Sequence, residues 1–160
     1  MVAHRFVEAV LGHDLTMKLA CAGILLLCAA CVGPARSYGV YESRAAQSAD
    51  AARSAVQTAR AGIEDAAQGD AFAAYVSALL SDAEDTASTA EGHFASIQPP
   101  DAASDQLRSD LLPMLQNATN EIEQARIAAR RDDVRALVSL DQPLASVNDA
   151  LASFLDQHQS

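Results

Sequence analysis

Tryptophan is absent from this chain of 160 residues, and the other aromatics amount to three tyrosines and four phenylalanines. Any core must therefore be filled by aliphatic side chains, among them an alanine population of 35. Alanine is a strong helix former and a weak strand former. A core so poor in volume suits helices that approach closely along alanine stripes, and it argues against a β-sandwich. Lysine is as scarce: Lys18 is the only one, and the other ten basic residues are Arg, nine of them after Cys31. A Schiff-base or P-loop lysine is thereby excluded from the region beyond the opening stretch. Cysteine occurs at 21, 28 and 31 and nowhere later. That rules out a disulfide framework or a cysteine-ligated metal in the main body. A formal charge of −10 argues against nucleic-acid partners, which require cations to neutralise phosphates.

What is present begins with Met17 to Arg36, MKLACAGILLLCAACVGPAR. Leu19 to Val32 gives fourteen residues without a charge, short of the roughly twenty needed to cross a bilayer. A positive residue, an apolar run and then small residues form the pattern of a secretory signal, and Gly33-Pro34 cuts the run off. Its end, Cys28-Ala29-Ala30-Cys31, resembles the lipobox of bacterial lipoprotein precursors, with Cys28 standing where that family carries Leu and Leu27 one residue earlier. The resemblance implies that Cys31 receives a diacylglyceryl group, becomes the new N-terminus and anchors the protein to a membrane. Glu8 and Asp14 sit badly in the leading region of a signal, so Met17 is the expected start. The expected layout is an extension and signal peptide over 1–30, a tether over 31–39 and a helical domain over 40–158.

Four later segments carry apolar residues at steps of three and four. The first places Ala45, Ala49, Ala52, Val56, Ala59, Ile63 and Ala66 on one face. Gly69 is expected to close it in left-handed geometry, with Asp70 capping the next helix. The second places Phe72, Val76, Leu79, Ala83, Ala87, Ala90, Phe94 and Ile97, and ends at Gln98-Pro99-Pro100-Asp101. The third places Leu107, Leu111, Met114, Ala118, Ile122, Ala125 and Ala129. The fourth, capped by Asp132 or Asp133, places Val134, Leu137, Leu140, Leu144, Val147, Leu151 and Phe154. Steps averaging about 3.5 and short connections predict an all-α fold, an antiparallel up-down four-helix bundle preceded by an N-terminal signal helix. Pro113 and Pro143 are expected to kink or restart their helices, bending them around a small core or opening a cavity.

A search for chemistry finds few candidates. There is no Glu-x-x-His pair for a di-iron site, no Cys-x-x-Cys-His for haem and no Asp-x-Asp-x-Asp-Gly loop for calcium. After Cys31 only His93 and His158 remain, too few for a triad and its partners. His93 reads as a surface or boundary residue, and Asp82, Glu84 and Asp85 as a solvated helix face. One basic group stands out: Arg126, Arg130, Arg131 and Arg135, where the third helix ends. It is either an anion or partner patch or a set of cations placed at a helix C-terminus. The whole resembles the small Ala-rich helical lipoproteins of bacterial envelopes. That implies location and anchoring, with no catalytic residue to carry over, and no cofactor is expected. The expectation is a non-enzymatic module that binds an envelope protein or an apolar ligand. The alternative is a small cofactor-carrying or enzymatic bundle centred on His93 or the Arg group.

Overall fold

A computed structural model describes Ala35 and residues 37–158, and every element in that region is helical. Residues 1–30, with the expected signal helix, and the anchor candidate Cys31 lie outside the described residues. The elements are α1 (Tyr38–Gln68), α2 (Ala73–Ser96), α3 (Ala102–Arg130), α4 (Val134–Ser139) and α5 (Asp141–His158). None of these helices is long and apolar enough to cross a membrane. Helix α1 starts inside the segment read as a tether, and Ala35, 4 % exposed, already belongs to the core.

Side-chain pairs give the directions. Along α1, Glu42, Gln57 and Arg60 meet His158, Asn148 and Asp141 in turn, so α5 runs back along α1. Tyr41 stacks near Phe94 at one end of α1, and Gly62 lies against Leu79 and Val76 at the other, so α2 also runs antiparallel to α1. Arg108, Thr119 and Arg126 meet Ile97, Glu91 and Glu84, which reverses α3 against α2. Helices α1 and α3 touch each other across the middle, whereas α2 and α5 have no contact among the described residues. The alanines of α1 explain that close diagonal. Ala45, Ala49, Ala52 and Ala59 are wholly buried, leaving Val56 and Ile63 as the large residues of the stripe.

The expected core is observed with six departures. Ala66, Leu79, Met114 and Leu140 are half-buried, and Phe72 and Val134 are exposed. Leu80 and Leu115 are buried one position on, because a straight helix turns at 3.6 residues rather than the 3.5 of a strict heptad. Leu79 instead rests on the backbone of α1: a Cβ on Gly62 would come within 2.8 Å of its Cδ2. The two prolines behave differently. Pro113 lies inside an unbroken α3, on its exposed side. Pro143 lies in the first turn of α5, where no intrahelical donor is needed. The fourth expected helix is therefore two, α4 and α5, with Leu140 between them.

Candidate functional site at the tip

The α1–α2 turn and the α3–α4 turn lie at the same end of the molecule, here termed the tip; Ala35 and the start of α1 lie at the other end, the base. Each turn closes its helix in the same way. Gly69 adopts φ 77°, its N–H bonding to Ala66 O at 3.2 Å, and the Asp70 N–H bonds to Asp65 O at 3.0 Å. Together these bonds make a Schellman closure. Asp70 is thus used to end α1 and does not cap α2, correcting the expectation. At the end of α3 the same pair of bonds runs from Asp132 to Ala129 and from Asp133 to Ala128, with Asp132 at φ 54°. Asp133 then caps α4, accepting from the Ala136 N–H at 3.0 Å.

With Asp70 so committed, the N-cap of α2 falls to Phe72, an extended residue that offers no side-chain acceptor. Its ring is 87 % exposed. Tyr75, one turn on, and Val134 and Val138 of α4 are exposed too. Four of the five exposed large apolar side chains in the described residues therefore gather toward the tip, Val40 being the exception. A slot lined by Ala71, Val76, Ala129, Val134 and Leu137, with Asp132 and Asp133 at its polar edge, joins the α1–α2 turn to α4. Its volume is about 40 Å³, far below the roughly 300 Å³ at which small-molecule pockets begin. The tip has no room for an enclosed ligand.

The four arginines divide. Arg126 is turned away, its guanidinium paired with both oxygens of Glu84 on α2. The two are held together because both are half-buried and neither charge is left unpaired. Glu84 therefore leaves the solvated face expected for it. Arg130, Arg131 and Arg135 are exposed beside the tip, with no ion pair to any described residue. A mainly apolar centre flanked by arginines is the usual composition of a protein contact surface. Sequence reasoning found the arginines and missed Phe72, Tyr75, Val134 and Val138, which periodicity alone assigns to the core or leaves unmarked.

Elsewhere the polar side chains serve the fold. The Asp101 carboxylate accepts from the Ser104 N–H at 2.8 Å as the cap of α3, and this bond holds its pKa below the ordinary carboxylate range. Arg108 donates to the carbonyls of Ile97 and Ala95 at the end of α2. Burial pushes the Tyr41 phenol up while the nearby Arg108 guanidinium draws it partly back. Glu42 accepts from Tyr38 and lies 3.0 Å from His158 Nδ1, tying the last turn of α5 to the first of α1. Exposed His93 lines an open groove of about 470 Å³ with Asp85, Thr86, Thr89, Gln47 and Ser48. Among the described residues no group of three or more His, Cys, Asp or Glu side chains could hold a metal ion.

Set against known proteins, the chain matches no family model, no curated protein and no solved structure.

Proposed function

We propose that this chain is a lipid-anchored protein of the bacterial cell envelope and a non-enzymatic interaction module. In this reading it is an up-down four-helix bundle, exported by a signal within residues 1–30, held to the membrane through Cys31, and docking a protein partner on its tip. Location and anchor rest on the lipobox-like Cys28-Ala29-Ala30-Cys31 and the uncharged run before it. One observation carries the functional part. Phe72 breaks two local rules at once, as an N-cap without an acceptor and as a large apolar side chain left in water. Departures of that kind concentrate at functional sites. Arg130, Arg131 and Arg135 supply the polar rim.

Two experiments test this. Replacing Cys31 with Ser should abolish acyl labelling and release the protein from membranes; surviving label would exclude Cys31 as the anchor. A photo-crosslinking residue at Phe72 in intact cells should give a discrete adduct that the same residue at exposed Asp82 does not. That adduct should vanish with Val134→Asp. Identical patterns from the two positions, or none from Phe72, would sink the tip as a docking face.

The α1–α2 groove favours a second reading, a small cofactor-carrying or enzymatic bundle. Its volume of about 470 Å³ suits a ligand, and His93 and Asp85 line it. Stoichiometric iron, zinc or haem in purified mature protein would favour that reading over the first.

A further inference from the structure

The lipid-anchor reading, on which this inference rests, has a geometric consequence for how the molecule stands. Ala35 is 4 % exposed and packed into the core, so the folded body begins there rather than at the first residue of α1. Between an acylated Cys31 and the buried Ala35 lie only Val32, Gly33 and Pro34. Four residue steps span at most about 14 Å when fully extended. That is a leash, too short to let the body drift from the lipid surface.

From the same observations we infer that the base of the molecule is a membrane-apposed face whose occupant is the lipid headgroup surface, and that the tip is held away from it. The base comprises Ala35, Val40 at the start of α1, the α2–α3 turn and the end of α5. Helix α1 has 31 residues, which at 1.5 Å each is about 46 Å. Lying flat would bring one long side of the body against the headgroups. Those sides carry the exposed carboxylates Asp50, Asp82, Asp85, Asp110, Glu123 and Asp149, which an anionic leaflet repels within a Debye length of about 8 Å. Asp101, Asp105 and Asp156 are at the base itself, but the covalent leash limits how far the base can withdraw whatever its charge. Phe72 and the arginines beside it are therefore offered well above the membrane. The partner they fit is one with its docking site at that height.

The test uses the acylated mature chain in vesicles of phosphatidylethanolamine and phosphatidylglycerol. No cysteine follows Cys31 in the sequence, and acylation blocks that one. A donor dye can thus be placed singly through Val40→Cys, Gln116→Cys halfway along α3, or Phe72→Cys, with an acceptor on the lipid headgroups. Energy transfer should fall in that order, several-fold between the first and the last. A flexible Gly-Ser insertion of about 20 residues between Pro34 and Ala35 should bring the three values together. Equal transfer from all three positions in acylated protein would overturn the standing geometry while leaving the anchor intact. Absence of acyl label would remove the anchor, and the inference with it.

Discussion

Phe72 separates stability from function at a single position. Helix α2 begins without a side-chain acceptor on its orphan N–H groups and without an acidic residue in its first turn. Asp at an N-cap supplies both, and is worth about 0.5–2 kcal/mol relative to a residue that cannot cap. The ring it replaces is 87 % exposed, so little buried area is lost. Phe72→Asp should therefore raise the melting temperature while abolishing the crosslinked adduct at the tip, tested with the photo-crosslinking residue moved to Tyr75. A drop in melting temperature would show that the ring packs on the body and is structural. Sequence reading placed Phe72 on the core stripe because a step of four to Val76 fits the helical period. What removes it is Asp70, drawn into the closure of α1, and a one-residue cap is too local an event for periodicity to register.

The helices themselves were legible because their signals lie close together in the chain. Gly69, Asp101 and Asp133 act on backbone groups within a few residues, and each does what its residue type predicts. The pairing of Arg126 with Glu84 joins residues 42 positions apart and was not legible. Two outcomes follow at this scale. Ala59 is wholly buried in the α1 seam, so Ala59→Leu should overpack it and cost about 1–3 kcal/mol. Ala46 is half-buried beside an open groove with Gly39, Glu42 and Ser43, so Ala46→Leu has space to occupy. Circular dichroism melts should separate the two variants clearly, and coincident melts would show that the diagonal contact of α1 with α3 is loose. Asp101 sets an acid limb. Its carboxyl is held below the ordinary range by the Ser104 N–H, so its contribution is present above about pH 4 and is lost as pH falls through the depressed value. Asp101→Asn keeps an acceptor without a charge. It should melt close to the parent at neutral pH and lose less stability on acidification; an unchanged acid limb would assign the titration to other carboxylates.

For the whole molecule, the question is where the body ends and the leash begins. Two Gly, a Pro and a Ser over residues 32–39 suggest a tether reaching residue 39, because such residues are poor helix formers. The observed body starts earlier: Ala35 is seated in the core, ahead of the first residue of α1. Burial of a methyl against the ends of the helices is a tertiary fact that composition cannot carry. Its energetic consequence can be measured without any lipid. Removing one small apolar side chain from the core costs about 1 kcal/mol, and a carboxylate cannot occupy the same place unpaired. Ala35→Asp should therefore release the segment up to Tyr38 and lower the melting temperature of the unacylated body by roughly 4 °C. It should also lengthen the leash by three residues, or about 10 Å at full extension, so acylated Ala35→Asp should lose part of the energy-transfer difference between Val40 and Phe72. An unchanged melting temperature would mean that Ala35 contributes nothing to the fold, and the reach of the anchor would then have to be counted from Tyr38.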